Sequence, residues 1–280
     1  MSNVSPALLR EEVGRRLRAA RIKAGITPDE AAAHLEMSRP NLNRIENAKL
    51  GVNVHLVRTM MDLYDFRDDQ LLDMVRDSRK PGWWKPFGIA DNEFVALEAG
   101  ASKERDFEVQ VVPGLLQTAD YARALFESGK TTRSEEWIAD RLNVRLVRQD
   151  RLTDEERPIH LAAVIDEQAL RRPVGGPSVM RAQLRHLALV CELPTVAVNV
   201  LPTSVLSYEG LYGNFIVLDF PYSGQPSVAY VSHALGETRS SDRFVLDAAR
   251  LRFEHLRSLA LDSDRSVALI EQVTDELWSG

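Results

Sequence analysis

The sequence predicts a two-domain chain: an all-α five-helix bundle followed by an α+β domain with a mixed β-sheet. Three observations carry that prediction. Five amphipathic helical runs fit between residues 8 and 77. Past a polar junction at 76–82, Arg-Asp-Ser-Arg-Lys-Pro-Gly, strand-like runs alternate with helical ones. The length, 280 residues, suits two domains. The expected divisions are 1–78 for the bundle, 79–84 for a linker and 85–280 for the α+β domain.

The first helix, over 8–24, places Leu9, Val13, Leu17, Ala20 and Ala24 on one stripe, and Gly25 ends it. Arg21 falls on the same inward side, four residues after Leu17. Thr27 is the N-cap of the second helix, with Pro28 at the first helical position and Glu30 completing a capping box. Ala31, Ala32 and Leu35 form its apolar face. Glu36 and Met37 make the turn, and Ser38 caps the third helix, 39–47. At about 100° per residue, Leu42, Ile45 and Glu46 point inward, while Pro40, Asn43, Arg44 and Asn47 point out. Asn41 flanks that outer face, and Arg39 sits in the exposed first turn. An unpaired inward charge is costly, so Arg21 and Glu46 are expected to pair. Helices over 54–64, with Val57 and Leu63, and over 68–77, with Leu71, Leu72 and Val75, complete the bundle.

A tight two-helix corner whose second helix presents Asn and Arg outward suits the major groove of double-stranded DNA. Asn bonds bidentately to adenine and Arg to guanine, whereas Arg39 and Lys49 are placed for phosphate contacts. The plain alternative is a solvated polar face. Charge favours the DNA reading. Through Arg58 the chain holds ten Lys and Arg against six Asp and Glu, whereas residues 81–280 hold 21 against 29. So modest a positive charge favours a homodimer on two half-sites.

In the second domain, strands are expected over 107–112, 159–165, 195–201, 214–220 and 228–231, and helices over 118–128, 134–151, 178–191, 241–261 and 264–278. Trp137, Leu142, Leu146 and Leu152 are the expected buried side of the helix over 134–151. Its arginines Arg141, Arg145, Arg148 and Arg151 are expected on a solvated or salt-bridged face, with an acidic partner surface as the alternative. Candidate partner- or ligand-contacting residues are Trp83, Trp84, Asp166, Glu167, Arg145 and Arg148. The ordinary reading of the tryptophans is an anchor to the second domain's core, and of the carboxylates a helix N-terminus. The six histidines and Cys191 lack metal-ligand spacing, and no nucleophile elbow or phosphate loop occurs, so neither an enzyme nor a cofactor or metal is expected. The lone Cys191 suits a reducing compartment, and no apolar run approaches a membrane span, so a cytoplasmic protein is expected.

Two stretches carry a family resemblance. Leu-Arg-Ala-Ala-Arg-Ile-Lys-Ala-Gly-Ile-Thr at 17–27, followed by the helix pair and Arg-Ile-Glu-Asn-Ala-Lys at 44–49, resembles phage-repressor-type helix-turn-helix domains of the xenobiotic-response-element class. That resemblance implies an Arg21–Glu46 ion pair and DNA contacts from Ser38, Arg39, Asn41, Asn43 and Arg44, to which the reading of the residues adds Thr27, Asn47 and Lys49. Many members carry glycine where this chain has Glu36, whose left-handed backbone would cost about 1–2 kcal/mol. Val-Pro-Gly-Leu-Leu-Gln-Thr-Ala-Asp-Tyr-Ala (112–122), Asp-Glu-Gln-Ala-Leu-Arg-Arg-Pro-Val-Gly-Gly (166–176) and Met-Arg-Ala-Gln-Leu-Arg-His-Leu (180–187) are similar to the antitoxin-like domain of WhiJ-like actinomycete regulators. This second resemblance implies a transcriptional regulator working with a small protein encoded nearby. Control by a metabolite bound in the second domain, or an antitoxin-like interaction role, stays open beside it.

Overall fold

The computed structural model describes residues 6–90, 93–129, 133–205, 213–221, 226–233 and 235–278, in two compact units that divide near residue 100. In the first, α1 (Pro6–Lys23), α2 (Pro28–His34), α3 (Arg39–Glu46), α4 (Val54–Leu63) and α5 (Asp69–Asp77) surround a core that includes Leu17, Leu42, Val57, Met60, Leu71 and Val75. Thr27, Ser38, Asn53 and Asp68 each cap the helix that follows, accepting a bond from the amide three residues on.

This unit runs past the linker expected at 79–84. Trp84 is fully buried, a 3-10 turn follows at Lys85–Phe87, and α6 (Phe94–Glu98) leads to Gly100. A Cβ on Gly100 would lie 2.4 Å from Leu8 Cδ1 in α1. The expected anchor to the second domain is therefore corrected, because Trp84 belongs to the first unit. A polar stretch broken by Pro81 and Gly82 reads as linker, but a large apolar side chain inside it drives burial.

The second unit contains β1 (Lys103–Glu108), α7 (Ala119–Glu127), α8 (Glu135–Gln149), β2 (His160–Asp166), α9 (Glu167–Arg171), α10 (Pro177–Val190), β3 (Val196–Leu201), β4 (Phe215–Asp219), β5 (Val228–His233), β6 (Gly236–Ser240), α11 (Arg243–Leu259) and α12 (Ser263–Trp278). The sheet order is β3-β2-β1-β4-β5-β6, parallel among β1, β2 and β3 and antiparallel from β1 through β4 and β5 to β6. The fold is thus a helical bundle followed by an α+β domain with a mixed sheet. Phe107, Val217, Phe253 and Leu256 belong to the core cluster between this sheet and α11.

Three expectations are corrected. The strand expected at 107–112 lies at 103–108, so the central strand buries Glu104 and Asp106 beside Phe107. The apolar residues after it form a loop instead, held by side-chain bonds. Gln117 Nε2 donates to Val112 O at 2.7 Å, Gln149 Nε2 to Gln117 O at 2.6 Å and Gln183 Nε2 to Leu116 O at 2.7 Å. Local alternation cannot reveal such long-range partners. Strand β6 has no counterpart in the expected list, because Gly-Glu-Thr-Arg-Ser lacks any apolar alternation.

Helix α8 is the third correction. Arg148 and Arg151 are buried, while Leu146 is 47% exposed. Arg151, in the turn after α8, donates through Nη2 to Ala101 O at 2.8 Å and through Nε to Arg157 O at 2.9 Å. Arg141 and Arg145 lie over the rings of Trp137 and Phe126, 5.3 and 5.6 Å from the centroids. Arg148 and Arg151 are therefore not on a solvated face, and the half-buried Arg141 and Arg145 lie against aromatic rings.

At the end of β1, burial pushes the Glu108 carboxyl up to about 7, against the opposing pull of the Asn214 amide and the Arg145 charge. The folded state therefore binds this proton more tightly than the unfolded chain. The resulting stability is complete below the ordinary value of 4.5 and is lost as pH rises through about 7. Thermal melts of Glu108→Gln should match the wild type at about pH 4.5 and exceed it at about pH 8.

Candidate nucleic-acid interface

Helices α1, α2 and α3 meet around one buried charge pair. Arg21 Nε and Nη2 donate to Glu46 Oε1 and Oε2 at 2.6 and 2.8 Å, and both side chains are less than a tenth exposed. Arg21 Nη1 also donates to Ile26 O at 3.0 Å, so the fork ties α1 to α3 and to the loop before α2. The Glu46 hydrogen bond raises the guanidinium pKa further above its ordinary value. Beside the pair, burial first and the Glu46 charge second push the Tyr64 phenol up to about 12, so Tyr64 stays neutral.

The corner itself is set by helix-end chemistry. Thr27 Oγ1 accepts from Glu30 N at 3.3 Å, while Glu30 Oε2 accepts from Thr27 N at 2.8 Å. Helix α2 ends with Met37 N donating to Ala32 O and Glu36 N to Ala33 O, the Schellman pattern, which puts Glu36 at φ 50°. Ala48 ends α3 in the same way at φ 58°, with Lys49 N donating to Arg44 O. A non-glycine residue stands at both left-handed positions, at a steric cost the packing must offset.

Gly14 has a role that the sequence reading missed. A Cβ there would lie 2.7 Å from Ile45 O and 2.8 Å from Glu46 O, so only glycine lets α1 cross the end of α3 this closely. A glycine inside a strong helical pattern was the available signal.

Leu42, Ile45 and Glu46 are buried, whereas Thr27, Ser38, Arg39, Asn41, Asn43, Arg44, Asn47 and Lys49 are all exposed. These eight differ in freedom. The Thr27 and Ser38 hydroxyls cap helices, Arg39 pairs with Asp29 at 3.1 Å, and Asn47 Nδ2 donates to Asn43 O at 2.7 Å. Among the described residues, no hydrogen bond or ion pair engages the side chains of Asn41, Asn43, Arg44 and Lys49. Their polar ends are available to a ligand across the exposed side of α3.

The candidates outside the bundle are not gathered at one place. Asp166 caps α9, accepting from Gln168 N at 2.8 Å. Glu167 accepts from Thr203 N and Oγ1 at 2.8 and 2.9 Å and from Arg171 Nε at 2.7 Å. Burial pushes its carboxyl up, but those bonds outweigh burial and leave it below its ordinary value. Both carboxylates thus act in the fold, at the N-terminus of α9, in keeping with the ordinary reading of this pair. Trp84 is core, with Trp83 edge-on to it at 5.8 Å. Arg148 is buried, and a Cβ on Gly114 would come 2.3 Å from Arg145 Nη1 and 3.3 Å from Arg148 Nη2. These arginines pack against the 112–118 loop and offer no open cationic face. Burial pushes the half-buried Cys191 thiol up to about 11. No group of three or more metal-ligating side chains occurs among the described residues, and none of their helices is long and apolar enough to cross a membrane.

A helix-turn-helix domain matches residues 12–74, from α1 into α5, and a domain of unknown function, DUF5753, matches residues 92–272. Searches of curated proteins and of solved structures return no match.

Two substitutions test how the corner is held. Glu46→Ala strands a buried guanidinium and should lower unfolding stability by about 3–5 kcal/mol in chemical denaturation; an unchanged midpoint would show that the pair is dispensable. Gly14→Ala should destabilise by about 1–3 kcal/mol, because backbone rather than a flexible side chain blocks the added methyl.

Proposed function

Since this chain belongs to the family of the domain of unknown function DUF5753 and carries a helix-turn-helix domain ahead of it, we propose that it is a sequence-specific transcriptional regulator that binds double-stranded DNA as a homodimer. The carrying observation is the exposed face of α3, where Asn41, Asn43 and Arg44 stand without intramolecular partners above a buried, charge-locked underside. Asn43 and Arg44 read base edges, with Asn41 and Asn47 flanking them. Lys49 and Arg39 hold phosphates; the Arg39–Asp29 pair is exposed, worth little, and exchanges readily for a phosphate. The caps at Thr27 and Ser38 aim the ends of α2 and α3 at the backbone.

The likeness to WhiJ-like actinomycete regulators supports a second reading of how DNA binding is controlled, through a small partner protein docking on the DUF5753 region. An open groove of about 780 Å³ between α10 and α12, with Leu184, Leu189 and Val267 in its lining, favours a protein segment over an enclosed metabolite. Leu189 is 64% exposed there.

The DNA reading is tested by selecting operators from random duplexes and then titrating variants at fixed salt. Arg44→Ala and Asn43→Ala should each cost about 1–3 kcal/mol on the selected site and relax one base position. Lys49→Ala should weaken all duplexes alike and lower the salt slope by about one. Undiminished operator binding by both base-reading variants would overturn the choice of face.

A further inference from the structure

Helices α10 and α12 lie side by side and antiparallel, with Arg181 at the start of α10 donating to Trp278 O at the end of α12. The open groove along them has an apolar floor. Leu184 is buried there, Ala188 and Val267 are partly buried, and Leu189 stands exposed. The rim is charged, and unevenly so. Among the described residues, it sets the carboxylates of Glu192, Asp264, Glu271 and Asp275 against the guanidinium of Arg185, and all five side chains are exposed. No hydrogen bond or ion pair among the described residues engages Glu192, Asp264 or Glu271. The fold makes no use of these three carboxylates. The chain around them is acidic as well, with 29 Asp and Glu against 21 Lys and Arg over residues 81–280.

We propose that this groove docks a cationic amphipathic helix of the partner protein, its apolar side chains on the floor and its Lys or Arg side chains along the rim. The inference rests on the partner-protein reading above and names the chemistry of the segment that docks. Charge selects the occupant. Carboxylates flanking an apolar floor attract a basic segment and repel nucleic acid and anionic lipid surfaces alike. A second copy set groove to groove would bring two sets of four carboxylates together. The walls select a helix. Both are helical, with backbone groups already spent on their own turns, so an extended peptide finds no main-chain partners there. A helix brings its own hydrogen bonds and needs only an apolar stripe. At about 1.5 Å per residue the lining runs about 12 Å along α10, from Leu184 to Glu192, and about 17 Å along α12, from Asp264 to Asp275. That length holds about three helical turns. Ala188, midway along the α10 wall, lets the incoming backbone approach closely, and Leu189 beside it fits between two of the occupant's anchors.

A random library of helical peptides displayed on phage and selected on the full chain tests the groove directly. Enriched peptides should carry apolar anchors at i, i+3 or i+4, and i+7, flanked by Lys and Arg. Synthesised singly, they should bind the Leu189→Glu chain and the E192K/E271K chain about tenfold or more weakly than the wild type. Raising the salt should weaken their binding to the wild type. Selection repeated on E192K/E271K should lose the basic bias. All three substituted positions are exposed, and thermal melts confirm that each variant is folded. Enrichment of acidic or uncharged peptides, or selected peptides indifferent to both variants, overturns the proposal. The small protein encoded beside this gene, titrated against the same three chains with and without operator DNA, separates the two readings. Binding that shifts operator affinity yet ignores both variants leaves partner control standing and overturns the groove as its site. A neighbour that does not bind overturns partner control, and the peptide selection then decides the groove by itself.

Discussion

The geometry of the first unit depends on the buried Arg21–Glu46 fork. A charge taken out of water is costly, and neither side chain repays that cost alone. Together they place two short charge-assisted bonds between α1 and α3, and the third guanidinium bond reaches the loop that starts α2. Three segments that meet only in space are thereby held at one angle. Gly14 makes this possible from the other side, because its missing side chain lets α1 approach the carbonyls of Ile45 and Glu46. An exposed recognition face is useful only if its underside cannot rotate, and α3 has just eight residues with which to resist rotation.

The same logic explains where strain is accepted. Glu36 and Ala48 hold left-handed backbone at the ends of α2 and α3, where glycine is the easier residue. Both sit beside the exposed face, and both helix ends are closed by paired backbone bonds that satisfy otherwise orphaned carbonyls. The second unit relies on polar anchoring of another kind. Gln117, Gln149 and Gln183 hold the loop after β1, and Asp166 with Glu167 secure α9 and tie it to Thr203 beyond β3. Polar groups that resemble ligand contacts in the sequence are occupied by backbone.

The bundle was legible to different depths. Thr27, Ser38 and Glu30 announce helix starts because capping acts over three residues, and the wheel of α3 separates Leu42, Ile45 and Glu46 from Asn43 and Arg44 by helical geometry alone. What escaped was the extension of this unit to Gly100, since Trp84 lies in a stretch whose composition reads as linker. In the second unit the strands at β2, β3, β4 and β5 showed as apolar runs. The central strand did not, because β1 carries Lys103, Glu104, Arg105 and Asp106 and takes its place through pairing with β2 and β4. Helix α8 misled in the opposite sense: four arginines at helical spacing look solvated, yet Arg148 and Arg151 face the interior.

By itself the sequence determined what short-range physics decides: the five helices of the bundle, their caps, the inward and outward sides of α3, and a mixed α+β region after it. These follow from hydrogen bonds and steric preferences spanning one or two turns. Tertiary structure alone decided the register of β1, the inward turn of the α8 arginines and the burial of Trp84. Each of these depends on partners tens of residues away, whose gain outweighs local preference once the chain has closed on itself.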